Sequence, residues 1–323
     1  MKNFKKIIAF VLTLALVFAF AGCNSKNGES AKKTIGIIQF GSHASLNNCY
    51  DGIMQGLKDN GINEDDYNSE YVNSNFDPSV SQTQANNLVN KKASVIIAIA
   101  TPSAVAAANA AADSDIPVVY CAITDATVME NYSNITGSSD IPNFEKQLEV
   151  VTSFMNKQDL KIGVLYSTEE SSSPVQVENL KKAAEKYEGM EILDSAVADI
   201  NTIDTKTNEL IDRGVDCFVN LLDNTVVGKL ESNILPITNE KNIPVFGSEI
   251  EQVKVGCAAS ASIEYLDVGA AAGKAAAEIL GGKNASDIPV AYISEPKNYY
   301  NSEVCAKLGL TVPASIEAAD VAE

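Results

Sequence analysis

The decapeptide IPVVYCAITD at 116–125 occurs a second time, altered but recognisable, as IPVFGSEIEQ at 243–252. Each copy begins Ile-Pro-Val, runs through apolar residues and ends in a small polar residue beside an acid, as a buried strand does when it delivers side chains to a cleft. The repetition extends upstream. TIGIIQF at 34–40 recurs as KIGVLYS at 161–167, and VIIAIA at 95–100 recurs as CFVNLL at 217–222, before Asp223 and Asn224. The offsets are 127, 127 and 122 residues, a spacing hard to obtain by chance from three unrelated strands. The chain therefore reads as α/β, with two similar doubly wound parallel-sheet lobes joined by a hinge.

Length agrees, since 323 residues are long for one core and comfortable for two domains of about 130 residues each. The expected division is a leader over 1–22, a tether over 23–33, a first lobe over 34–141 plus about 264–290, and a second lobe over 142–263 plus about 291–323. The leader follows from Lys2, Lys5 and Lys6 ahead of an apolar run over 7–21 that ends at Gly22 and Cys23. Such a run is short for a spanning helix, which needs roughly 20 residues, and right for a signal peptide. Losing it takes away three lysines and no acid, so the net charge of −18 becomes −21. So acidic a surface repels nucleic acid and anionic lipid. Beyond Cys23 the cysteines, Cys49, Cys121, Cys217, Cys257 and Cys305, are odd in number and lack a CxxC pair. They read as buried free thiols.

Taken in order, the first half alternates strands over 35–40, 67–72, 95–100 and 116–122 with helices that end at Asn60-Gly61, start at Asp77-Pro78 and open at Thr101-Pro102-Ser103. A helix over 142–157 leads to a second series. Its strands are at 162–166, 190–197, 217–222, 245 and 255, and its helices cover 174–187, 203–213 and a stretch from Asn224. A glycine- and alanine-rich helix from Tyr265 to Gly281-Gly282 presents Gly269, Ala272, Gly273 and Ala276, which suggests close packing on a sheet. A strand over 288–293 and a helix after Asn301 close the chain.

In open α/β sheets ligands bind outside the strand C-termini. That rule selects Ser42 and His43, Thr101 and Ser103, Thr124 and Asp125, Ser139 and Asp140, the loop over 167–173 with Glu170, Ser172 and Ser173, Asp223 and Asn224, and Ser248 and Glu249. No lysine or arginine appears in these loops, and Arg213, the single arginine, sits at a helix end on the opposite edge. A ligand carboxylate then has to rest on N–H groups at a helix N-terminus, for which the starts at Thr101 and Asp223 are the candidates. The acids favour an ammonium, so a zwitterion fits both halves. The alternative for each acid is that it caps a helix or pairs across the hinge. Catalysis is disfavoured: His43 is the only histidine, and neither GxSxG nor HExxH nor a phosphate loop nor metal-ligand spacing accompanies it. No enzyme, cofactor or metal is expected.

Two resemblances sharpen this reading. Phe20-Ala21-Gly22-Cys23 resembles the bacterial lipobox, which implies lipidation (a palmitate-type acyl anchor) at Cys23 and an extracytoplasmic, membrane-attached protein. The rest, over 34–315, resembles the substrate-binding lipoproteins of ABC transporters that include tryptophan- and tyrosine-binding members, built on the type I periplasmic-binding-protein fold. The motifs are Gln39-Phe40 with His43-Ala-Ser-Leu46, Thr101-Pro-Ser-Ala104, Thr124-Asp125, Ile135-Thr-Gly-Ser-Ser-Asp140, Glu145-Lys-Gln-Leu148, Asp223-Asn224-Thr225, Gly247-Ser-Glu249 with Gln252-Val253 and Gly256, Tyr265 with Gly269, and Leu308-Gly-Leu-Thr-Val-Pro313. Glu169-Glu170-Ser171-Ser172-Ser173 departs from the family's Ser-Glu-x-Asn-Ser by replacing an amide with Ser172, and Leu222 stands where a proline is common. The resemblance implies a monomeric solute-binding protein that closes on an aromatic amino acid and passes it to ABC permease and ATPase subunits. Within it, Asp223 would take the ammonium, Thr101 and Ser103 the carboxylate, and Phe40, Tyr166, Phe246 or Tyr265 would stack on a ligand ring. Other readings are a sugar or nucleoside receptor of the same fold, a regulator, which would need a DNA-binding helix where the leader stands, and a secreted enzyme.

Overall fold

The computed structural model describes residues 32–293 and 296–322, and Thr34–Glu323 form one compact unit. The leader, Cys23 and all but the last two residues of the expected tether lie outside the described residues. Among the described residues no helix is long and apolar enough to cross a membrane.

The first series runs β1 (Lys33–Gln39), α1 (Ala44–Asp59), β2 (Tyr67–Asn73), α2 (Pro78–Asn90), β3 (Val95–Ile99), α3 (Thr101–Ala111), β4 (Val118–Ile123) and β5 (Ile135–Ser139). The second runs α4 (Phe144–Met155), β6 (Lys161–Ser167), α5 (Ser172–Ala184), β7 (Glu191–Val197), α6 (Ile203–Asp212), β8 (Cys217–Val219), α7 (Asn224–Val227), α8 (Leu235–Glu240), β9 (Val245–Phe246), α9 (Ile250–Val255) and β10 (Ala259–Ser262). The chain ends with α10 (Tyr265–Leu280), β11 (Ala291–Tyr292), β12 (Lys297–Tyr300), α11 (Ser302–Leu308) and β13 (Ala319–Asp320).

Strand order makes the duplication visible. One sheet is ordered β11-β5-β4-β3-β1-β2 and the other β7-β6-β8-β9. The repeated segments β1, β3 and β4 thus hold the same places as β6, β8 and β9, and each of these neighbours pairs in parallel. A parallel bridge between Gly247 and Ser260 continues the second sheet into β10-β12-β13. Alternation along each strand feeds two cores per lobe. Ile35 and Ile37 meet Cys49, Ile53 and Leu57 of α1, while Ile38 and Ile96 meet Leu88 of α2 and Ala104 of α3. In the second lobe Ile162 and Val164 meet Leu148 and Leu180, and Leu165 and Phe218 meet Leu210 and Leu235. Each fully buried Ile or Leu contributes roughly 1.5–3 kcal/mol.

Local signals explain most boundaries. Asp77 accepts from the N–H groups of Ser79 and Val80 ahead of Pro78, and Gly61 turns the chain at φ +84° after α1. Three expectations change. Residue 255 ends helix α9 instead of forming a strand, because Glu249 caps that helix and Gly256, at φ +132°, stops it; the strand comes at Ala259–Ser262. Ile135–Ser139, given no element in the sequence, is the strand β5, its Thr136 and Ser138 hydroxyls donating to the Ile288 and Val268 carbonyls. The small residues of α10 face a helix as well as a sheet. A Cβ on Gly269 would lie 2.2 Å from the Cys49 carbonyl oxygen, and one on Gly273 would lie 2.3 Å from that of Ile53. Gly52 and Gly56 of α1 return the contact, so the two helices touch backbone to backbone.

Three passages of chain join the lobes. The first leaves β5 at Asp140 for α4, the second leaves β10 for α10, and the third runs from β11 to β12. Ala291 and Tyr292 pair with Ser138 and Ser139, so the first sheet takes in the start of the segment beyond 290.

Candidate ligand-binding site

Between the C-terminal ends of the two sheets lies a cavity lined by both lobes. His43, Ser45, Leu46, Ala122, Thr124, Asp140 and Tyr265 come from the first lobe, and Leu222, Asp223, Asn224, Val227, Glu249 and Gln252 from the second. None is a lysine or an arginine.

Short helices aim most of these groups. The Asp223 carboxylate caps α7 by accepting from Val226 N–H at 3.0 Å, and it also accepts from Ser167 N–H at 2.6 Å and Ser173 Oγ at 2.7 Å. Gln176 holds the preceding turn with both ends of its amide, donating to the Leu222 carbonyl at 2.9 Å and accepting from Leu222 N–H at 3.0 Å. Glu249 caps α9 through the N–H groups of Gln252 and Glu251. On the first lobe Gln39 fixes the loop before α1 by donating to the Gly41 carbonyl and to Asn47 Oδ1. The start of α1 itself has no side-chain cap and no acid in its first turn. Ser45 and Leu46 carry that bare helix terminus into the cavity, where its N–H groups favour an anion. Ala122 arrives by a bulge: β4 shifts register against β5 between Tyr120 and Ile123, with Ala122 at φ +58°.

The cleft is closed by bonds between the lobes. His43 Nε2 lies 3.1 Å from Asn224 Oδ1, Asn48 Nδ2 donates to Glu251 Oε1 at 3.0 Å, and the Ser45 hydroxyl hydrogen-bonds to the Glu249 carboxylate. Asn224 spends its Nδ2 on Glu170 Oε2 at 2.9 Å, so its Oδ1 accepts and His43 is the donor at Nε2. His43 Nδ1 is then a lone-pair acceptor, buried and without a partner. Burial lowers the His43 pKa, outweighing the opposite effect of Asn224, so the ring is neutral.

Burial raises every carboxyl around the cavity. Glu249 is pushed up to about 7, and Glu170, behind the wall, to about 8, in the second case with help from the Asp223 charge. Asp223 and Asp140 move in the same direction for the same reason, against the hydrogen bonds that favour their ionised forms. Asp140 is 2% exposed; its Oδ2 accepts from the Tyr265 hydroxyl at 2.6 Å and its Oδ1 has no partner.

Seven residues singled out in the sequence therefore meet in the cavity: His43, Thr124, Asp140, Asp223, Asn224, Glu249 and Tyr265. The others stand elsewhere. Ser42 lines a neighbouring groove. Thr101 and Ser103 are buried outside the cavity lining, with Ser103 Oγ 3.3 Å from Ser81 Oγ, because Ala100 at φ +75° turns α3 back against α2. Asp125 caps a short 3₁₀ turn, Ser139 Oγ donates to the Ile123 carbonyl, and Ser173 serves Asp223. Glu170 holds Asn224 and Thr225 from behind, and Ser172 is buried in the first turn of α5. At Asp223 and Glu249 the carboxylates that cap helices also line the cavity. Of the four rings expected to stack, only Tyr265 reaches the cavity; Phe40 packs on Phe76, Phe246 on Phe154, and Tyr166 against the second-lobe core. Ser45, Leu46, Ala122, Val227 and Gln252 were not chosen. The uncapped start of α1 was the available signal for the first two, and nothing in the sequence marks the bulge at Ala122.

Known proteins place this geometry in a family. The family model for ABC transporter substrate binding proteins matches residues 34–321. The chain is 30% identical over 326 residues to a tyrosine-binding protein of Clostridioides difficile, covering 95% of this chain and 93% of that one. Among solved structures, a Streptococcus pneumonia protein in complex with L-Trp is 31% identical, with a TM-score of 0.83 over 90% of this chain and 100% of that one. A ligand-free, open substrate binding protein with adhesive properties from Clostridium difficile is 30% identical, with a TM-score of 0.66 over 89% of this chain and 99% of that one. The closed cleft is in keeping with the higher score against the liganded structure. Two duplicated lobes, a cavity between them and the match over nearly all of the described residues lead to one statement: the chain belongs to the ABC transporter substrate binding protein family, whose members work outside the cytoplasm and are not enzymes.

Proposed function

We propose that this protein captures a free aromatic amino acid between its lobes and delivers it, as a monomer, to the permease of an ABC importer. One observation carries the reading: the cavity pairs buried carboxylates, with no lysine or arginine among its lining residues, with the uncapped start of α1. An ammonium fits the acidic corner of Asp140, Asp223 and Glu249, and a carboxylate fits the N–H groups at Ser45 and Leu46. Leu46, Ala122, Leu222, Val227 and the Tyr265 ring supply apolar wall for a side chain. The tyrosine- and tryptophan-binding relatives support an aromatic side chain. Because the ligand touches both lobes only when they are closed, it shifts the hinge equilibrium toward closure.

Thermal unfolding with a panel of amino acids, sugars and nucleosides tests this. A true ligand at 100 times its Kd adds about 2.7 kcal/mol. A response to sugars or nucleosides, with none to tyrosine, tryptophan or phenylalanine, would sink the reading. The lipobox-like Cys23 supports an acyl anchor that would hold the protein at the outer face of the membrane. Labelled palmitate should enter the wild type and not Cys23→Ser.

A further inference from the structure

The passages between the lobes are stitched to one another by side chains, and one stitch ends inside the cavity. Asp140 opens the first passage, and Tyr265 closes the second; the Tyr265 hydroxyl donates to Asp140 Oδ2 at 2.6 Å. Glu264, next to Tyr265, accepts from the Tyr299 hydroxyl of β12 and lies 3.8 Å from Lys297 Nζ. A hydrogen-bonded ladder thus crosses the hinge from Asp140 through Tyr265 and Glu264 to Tyr299. Its first rung differs from the others. Asp140 and Tyr265 are 2% and 5% exposed, both line the cavity, and Asp140 Oδ1 is buried without a hydrogen-bond donor.

We propose that Asp140 receives the cationic head of the ligand on Oδ1, and that Tyr265 is the positioning residue that holds Oδ2 and carries the load to the second hinge passage. This rests on the amino-acid reading above. An ammonium is the donor that suits a buried, half-satisfied carboxylate, since it supplies hydrogen bond and counter-charge together. Asp223 is less suited, with three protein donors already on its carboxylate. Burial opposes the ionised form of Asp140, and the Tyr265 hydroxyl, followed by the Thr124 hydroxyl and a backbone N–H, favours it. Other titratable groups around the pair are Cys49 on α1, Glu249 at the start of α9, and His43 and Asp223 on the cavity wall.

Calorimetric titration of the purified protein with L-tyrosine and L-tryptophan, and with their deaminated propanoic acids, tests the assignment. Asp140→Asn should weaken the amino acids at least tenfold and leave the deaminated acids no weaker than in the wild type. Tyr265→Phe should weaken the amino acids at least threefold and move the acid-side loss of affinity to higher pH, because Asp140 loses the group that holds it ionised. Amide exchange gives the hinge readout: the ligand should slow 140–143 and 263–265 together in the wild type, and only 140–143 in Tyr265→Phe. Wild-type affinity in both variants overturns the proposal and leaves the amino-acid reading standing. So does a Tyr265→Phe loss without a pH shift, which is what a hydroxyl bonded directly to the ligand would produce. A wild type that binds no amino acid overturns both.

Discussion

Replacing Glu170 by Gln is the most direct probe of the electrostatics behind the cavity. Burial, then the Asp223 charge, lift this carboxyl from 4.5 to about 8. At neutral pH the native protein therefore holds a proton that the unfolded chain, with an ordinary glutamate near 4.3, has released. A value raised in the folded state makes its contribution to stability fullest below the unfolded value and lost as pH climbs to the folded one. The window is pH 4.5 to about 8. Inside it each extra native proton gives a slope of about 1.4 kcal/mol per pH unit, so going from about pH 5.5 to about 7.5 removes roughly 2–3 kcal/mol. Asp223 and Glu170 are hydrogen-bonding neighbours and titrate as a pair. Gln preserves volume and neutrality but cannot ionise, so the variant should lose that slope while Glu249 contributes equally to both proteins. Urea unfolding at the two pH values measures it, and the wild type should fall by about 2–3 kcal/mol more than Glu170→Gln. Parallel slopes would refute the claim that Glu170 is protonated in the folded protein.

Gly52→Ala should destabilise by about 1–3 kcal/mol in urea, since its Cβ would lie 2.2 Å from the Leu266 carbonyl oxygen; an unchanged midpoint would mean that α1 and α10 are not in backbone contact. His43→Ala removes the bond to Asn224 and should weaken ligand by roughly 2- to 12-fold, the worth of one hydrogen bond, by equilibrium dialysis. Binding of an ammonium beside Glu249, which sits at about 7, should release about 0.5 proton near neutrality. Titration calorimetry in buffers of different ionisation enthalpy reads this, and proton uptake would contradict it. Asp77→Ala should lose about 1 kcal/mol with the cap of α2, measured by thermal unfolding.

Strand-sized facts were legible because they recur. A segment such as 34–40 and its copy at 161–167 state the same apolar alternation twice, and pairing then leaves little freedom in the order β2-β1-β3-β4. Acids at strand ends were legible too, and Asp140, Asp223 and Glu249 all reach the cavity. What escaped depends on backbone geometry that composition does not record. Ala100 and Ala122 hold positive φ although neither is glycine, and the first withdraws Thr101 and Ser103 from the cavity while the second pushes Ala122 into it. Val255 escaped because an apolar residue beside Gly256 suits a helix end as well as a strand, and only the Glu249 cap decides.

The late position of α10 has a consequence for biosynthesis. This helix belongs against α1, yet the ribosome makes it after β6 to β10 of the second lobe. A nascent chain that has emerged through β5 must wait for about 140 further residues, roughly 7–28 s of synthesis, before Ile53 and Leu57 can be covered on their second side. A polypeptide built this way keeps one face of α1 uncovered until α10 has been made.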